Sequence, residues 1–241
     1  MADLHETLDG AVTPDEIRST ATIVDVLAVF FVSLITGTIG VSIGAAIGGA
    51  GSFAETSGSL IGLWAGLIPG AIVVSRSRGT GSLVRDYGLR LRLPTDFMGV
   101  VAGLASQFVM LPIIYVVVQA LANHDLTKEL EAPAKDLSQN VHGPGFFLLA
   151  VLLVVGAPVV EEIFYRGMLL GALRRHMGEW PSILLCGLIF GAAHFELLQL
   201  PGLAAFGCVL AWLYSRSGRL GPNILAHAAF NAATVVFLWH G

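Results

Sequence analysis

Charge is what this sequence has least of. Asp, Glu, Lys and Arg together make up 12% of the 241 residues, about half of what a water-soluble domain carries. A solvated globular surface is therefore excluded. So is a nucleic-acid-binding face, because the basic residues do not gather beyond one arginine-rich loop in a very apolar chain. Cysteine is equally scarce: Cys186 and Cys208 both fall inside apolar runs, so they read as small apolar filler and no structural disulfide is expected. The start, Met1-Ala2-Asp3-Leu4-His5-Glu6, lacks a basic n-region, and the first apolar run is too long for a signal h-region, so no cleaved leader is expected.

What is present is hydrocarbon. Hydrophobic residues are 55% of the chain, with 29 glycines and a mean hydropathy of +0.77. That composition defines an integral, multi-pass membrane protein, an all-α bundle of about seven transmembrane helices. The chain divides into an acidic polar tail (1–20), a first group of membrane helices (21–144) and a second group (145–241). In the tail, Thr13-Pro14-Asp15-Glu16 has the order of an N-cap, a first-turn proline and a capping acid, and so predicts a helix start.

The first membrane segment runs over about 21–50 and repeats Gly40, Gly44 and Gly48 at a spacing of four. Such a stripe lets another helix approach closely, most simply one from the same chain. Further segments are expected over 60–74, 97–121, 145–176, 181–195, 201–214 and 222–239. A polar connection over 123–143 has room for a short surface helix. Residues 83–92 mix apolar and basic side chains and suit a headgroup surface or a topology anchor.

The loops after the second, fourth and sixth segments hold Arg76, Arg78, Arg85, Arg90, Arg92, Arg174, Arg175, Arg216 and Arg219; the other side has Arg18, Lys128 and Lys135. By the positive-inside rule the arginine-rich loops face the cytoplasm. The expectation drawn from this is a bacterial plasma (inner) membrane protein with both its N-terminus and its C-terminus outside.

Against this background Ala157 to Gly167 stands out, because Glu161, Glu162 and Arg166 follow directly on an apolar run. Ionisable groups at bilayer depth cost about 2.5–3.5 kcal/mol each on insertion scales and persist where they are paired and used. Glu162 and Arg166 are four apart and share a helix face, whereas Glu161 is turned by about 100°. The spacing predicts that Arg166 neutralises Glu162 and leaves Glu161 free for acid–base work. An ionic staple at a wetted helix end satisfies the same spacing. His194, and the pair His227 and Asn231 four apart on the last segment, are the other polar groups on apolar helices. They suit water activation and oxyanion donation, or merely hydrogen bonds between helices.

Taken together, Glu161-Glu162-x-x-x-Arg166, Phe190-x-x-x-His194 and His227-x-x-x-Asn231 resemble the three motifs of the CPBP (Abi) family. This family of intramembrane endopeptidases includes CAAX prenyl proteases and bacteriocin-processing or immunity proteins. The resemblance covers about 145–241. It implies an enzyme that cleaves a membrane-associated peptide or protein, a prenylated one in the CAAX branch, within the lipid bilayer. Glu161 and His194 would activate water, His227 and Asn231 would stabilise the oxyanion, and Glu162 and Arg166 would support them. No cofactor is favoured. Zinc held by Glu161, His194 and His227 is the alternative, although no His-Glu-x-x-His pair is present to place two ligands on one helix. A proton-coupled transporter and a non-catalytic immunity protein are the readings from other classes. A serine protease is disfavoured, because no Gly-x-Ser-x-Gly-like context lies on a membrane segment.

Overall fold

The computed structural model describes residues 20–130, 132, 141 and 143–240. The acidic tail with its Thr13 cap lies outside the described residues, as does most of the surface helix expected in the 123–143 connection, of which 127–130 are helical. The architecture is an all-α membrane bundle. In chain order it has α1 (Ile23–Gly48), α2 (Phe53–Arg78), the short α3 (Leu83–Tyr87), α4 (Thr95–Ala122), α5 (Pro144–Arg174), α6 (Glu179–Ala192), α7 (Leu200–Ser217) and α8 (Gly221–His240).

Helices α1, α2, α4 and α5 are long and apolar enough to cross a bilayer. At 14 residues, α6 is apolar but shorter than a span. Four membrane-length apolar helices are thus present among the described residues where seven spans were expected.

Local chemistry sets the helix starts. Thr22 caps α1 by accepting from the Asp25 N–H at 3.2 Å, and Asp25 reciprocates by accepting from the Thr22 N–H at 2.8 Å, which is a capping box. Asp25 also pairs with Arg78 at 2.7 Å, so α1 starts beside the end of α2. Glycine lets the two helices close on each other. A Cβ on Gly40 or Gly44 would overlap the Gly58 or Ala54 carbonyl, and one on Gly62 would meet the Gly37 Cα. The stripe therefore serves packing within the chain, as expected, and α2 answers it with a stripe of its own. The same device joins α4 to α8, where Gly99 and Gly103 lie against the Pro222 and Ala226 carbonyls.

All the arginine-rich loops come to one end of the bundle. Tyr87 lies against Gly167 and receives the Tyr214 hydroxyl on its carbonyl at 3.1 Å. Arg219 pairs with the buried Asp96 at 2.5 Å, and the Leu220 N–H donates to the Gly88 carbonyl at 2.8 Å. Both α1 and α8 start at this end. The expectation that both termini lie outside is therefore corrected: it needs α1 and α8 to start at opposite ends of the bundle, and both start at the arginine-rich one.

Residues 83–92 are likewise less loose than a headgroup strap. Asp86 and Tyr87 are buried. Asp86 accepts from the Ser75 hydroxyl at 2.5 Å, the Thr80 N–H at 3.0 Å and the Thr80 hydroxyl at 2.8 Å. Burial raises the Asp86 pKa, but these hydrogen bonds outweigh it, and the carboxyl sits below its ordinary 3.8. With the folded pKa lowered, the ionised carboxylate stabilises the fold above the unfolded value and this contribution is lost as pH falls through the folded one. The melting temperature of the parent should thus fall on acidification below about pH 4. An Asp86→Asn protein should start lower at pH 7 and lose less over the same window. Parallel melting curves across that window would disprove the role of Asp86.

Candidate active site

The site is built on an irregular stretch of α5. Wide π-helical turns at Leu152–Gly156 and Ile163–Leu170 flank the α-helical Ala157–Glu162, and such turns often mark functional sites. Pro158 accounts for the first of them: it has no N–H, and its ring pushes away the carbonyl four residues back. Within that turn the Ala157 N–H bonds to the Leu152 carbonyl. The Leu153 carbonyl thereby loses its α-helical donor, and the next N–H in line would be that of Pro158. Asn231 on α8 supplies the missing bond at 2.8 Å through its side-chain amide.

One turn further along α5, a buried ionic network forms around Glu162. Glu162 and Arg166 both have fully buried side chains and pair at 2.8 Å. Arg166 donates also to the Gly207 carbonyl at 3.1 Å and lies 4.6 Å from the centre of the Phe190 ring, a cation–π contact. The same carboxylate oxygen accepts from His227 Nδ1 at 2.9 Å. His227 is 3% exposed and is held edge-on by Phe190 and Phe206, with ring centres at 5.6 and 5.7 Å. Because a carboxylate only accepts, Nδ1 carries the proton. His227 Nε2 then points towards Glu161 Oε2 at 3.9 Å, too far for a hydrogen bond.

Glu161 differs from its neighbour in each respect. Its side chain is 22% exposed, and Oε2 is a buried oxygen with no hydrogen-bond partner. It lines a cavity of about 410 Å³ bounded by α1, α2, α5 and the end of α6. His194 lines the same cavity. Its Nδ1 meets the Phe190 carbonyl at 2.9 Å; a carbonyl only accepts, so the lone pair is left on Nε2.

The expected groups thus fall into two sets. Glu161 and His194 share the cavity wall. Glu162, Arg166 and His227 form the network behind Glu161, and Asn231 is tied to α5. At 1.5 Å per residue, Glu161 lies roughly 20 Å along α5 from Arg174 and His227 roughly 8 Å along α8 from Pro222. They meet because α5 projects past the level at which α8 begins.

One residue escaped the sequence reading. Asn223, fully buried, donates to the Leu210 carbonyl at 2.5 Å and stands 3.5 Å from Glu162 Oε2. Its position four residues before His227, on the same face, was the available signal.

Among the described residues no three His, Cys, Asp or Glu side chains gather into a metal-holding group. Glu161, His194 and His227 do not fit a three-ligand zinc set in this arrangement.

Fold and site define a helical membrane protein with an acid–histidine centre inside the bundle. Residues 143–233, which contain all three motifs, match the family model described as Type II CAAX prenyl endopeptidase Rce1-like. YdiL of Bacillus subtilis (strain 168), which carries the name of a membrane peptidase, is 32% identical over 89 residues, covering 37% of this chain and 36% of that protein. The protein named CAAX prenyl protease 2 of Homo sapiens is 30% identical over 95 residues, covering 31% of this chain and 29% of its own length. The chain thus spans about a third of the length of these relatives. No solved structure matches. The resemblance carried by the three motifs is borne out over 143–233, while α1, α2 and α4 lie outside the match.

Proposed function

We propose that the protein is an intramembrane endopeptidase that cleaves a membrane-associated peptide or protein with a water activated by Glu161 and His194. The observation that carries this reading is the unpartnered Glu161 Oε2, buried at the edge of a cavity that His194 also lines with an Nε2 free to accept. A water there satisfies both. Glu161 takes its proton as the oxygen attacks the scissile carbonyl, and the proton passes to the leaving amine as the C–N bond breaks. Glu162, neutralised by Arg166, holds His227 at Nδ1 and so aims Nε2 at the reacting side of Glu161. With the arginine-rich end of the bundle in the cytoplasm, the centre lies roughly 20 Å into the membrane, counting 1.5 Å per residue from Arg174. A bacterial inner membrane and, as one branch of substrate, a prenylated client go with this reading.

The test is cleavage of a peptide panel, with prenylated and unmodified members, by purified protein with and without chelator. Cleavage that survives chelation supports glutamate catalysis. Stoichiometric zinc whose removal abolishes cleavage moves the mechanism to the metalloprotease. If no peptide is cut, the enzyme reading fails; proton flux in liposomes would then identify a transporter, and its absence an immunity protein.

Asn231 has one amide N–H on Leu153 and a second to offer an oxyanion. Asn231→Ala should lower kcat by about 10²–10³, the range for losing one such donor. It should also lower the melting temperature, because the Leu153 carbonyl loses its partner. Unchanged kcat in the folded fraction would reduce Asn231 to a tie between helices, and bound zinc lost in His227→Ala would make His227 a ligand.

A further inference from the structure

His194 stands on a loop at an unusual depth. The 14 residues of α6 span about 21 Å against a hydrocarbon core of about 30 Å, so the turn after α6 lies at bilayer depth. Irregular backbone is tolerated there where it is buried in protein or lines a cavity. In this turn Phe195 has φ = +57°, a left-handed conformation that is an outlier for a bulky side chain. Strain of this kind collects at functional sites. Phe195 is 77% exposed, yet it lines the cavity beside His194. Facing it across the cavity are Phe30 and Leu34 of α1 and Leu63 and Trp64 of α2. Ser33, Thr38, Ser59 and Tyr165 also line the cavity, but the larger part of its surface is hydrocarbon.

We propose that Phe195 and the α1–α2 wall form the seat for a bulky apolar group of the substrate next to the scissile bond, with Phe195 as the specificity-determining residue. The left-handed turn carries the chain out of α6 so that His194 and the Phe195 ring both border the cavity. The chemical edge then works on a bond whose neighbouring hydrocarbon group is clamped. The helices opposite lie outside the matched segment, so selectivity would be set by a part of the chain that the family resemblance does not cover. The inference rests on the protease reading, and its test separates the two.

Glycine adopts φ = +57° without strain, so Phe195→Gly should melt at the same temperature as the parent or higher, while Phe195→Ala keeps the strain. Three quenched peptides are compared, with Ala, Leu or an S-alkylated cysteine beside the scissile bond. In Phe195→Gly, kcat/KM should fall about 10-fold or more for the bulky peptides, mainly through KM, and much less for the Ala peptide. Loss confined to the alkylated peptide identifies a lipid group as the occupant, and loss confined to Leu an apolar residue; either upholds the seat. Equal losses for all three peptides, or no loss at all, overturn it and make the ring a lipid contact. A second measurement does not need turnover. Binding of the Leu and alkylated peptides to Glu161→Gln protein is read by Trp64 fluorescence, with Trp64→Phe as the control. Weaker binding after adding Phe195→Gly upholds the seat even if the parent cuts nothing, and unchanged binding overturns it even if the parent is a protease.

Discussion

Glu161→Gln should remove nearly all turnover, by about 10²–10⁴ in kcat, in a protein that melts where the parent does. The expectation follows from the inequality of two adjacent glutamates. Glu162 has a full set of partners in Arg166, His227 and the nearby Asn223 amide. Glu161 has none on Oε2, so exchanging its carboxylate for an amide strands no buried charge. Glutamine fills the same volume but cannot accept a proton from water. Measuring kcat and melting temperature on one preparation decides the matter. Near-parent turnover in a well-folded Glu161→Gln protein would refute the assignment.

That inequality was legible before the structure, because it rests on periodicity alone. Four residues return a side chain to the same helix face and one residue does not, so Arg166 had to meet Glu162 and Glu161 had to be left over. Helix positions and the glycine stripe were legible for the same reason. Two things were hidden. The first is the partner of Asn231. A spacing of four placed it with His227, but the carbonyl it satisfies exists because Pro158 distorts α5, and the outcome of such a distortion depends on which helix lies beside it. The second is the route of the ionic network through His227 Nδ1 and Asn223. Depth counted from Pro222 puts His227 too near the surface, since helix ends in this bundle are not level. The orientation of the termini failed for a simpler reason, the parity of the helices, which the structure makes plain by placing the starts of α1 and α8 at one end.

Arg166 is where the largest loss of stability is expected. It is the largest fully buried side chain among the described residues, and removing it by Arg166→Ala leaves Glu162 ionised in an apolar surround with His227 and the Asn223 amide as its remaining partners. Breaking one side of a buried pair costs about 3–5 kcal/mol, and the Phe190 face and the Gly207 carbonyl lose their contacts as well. Arg166→Ala and Glu162→Ala should therefore melt well below the parent, unlike Glu161→Ala. Activity should fall with them, because His227 loses its orientation. A double replacement, Glu162→Gln with Arg166→Met, should lose less than the sum of its single changes, since neither charge is then stranded. The measurement is thermal and denaturant unfolding, in one detergent, of the parent, the three alanine variants, Glu162→Gln, Arg166→Met and their double replacement. Equal melting temperatures for Glu161→Ala, Glu162→Ala and Arg166→Ala would end the division of labour between the two acids, and additive losses in the double replacement would show that the buried pair is not coupled.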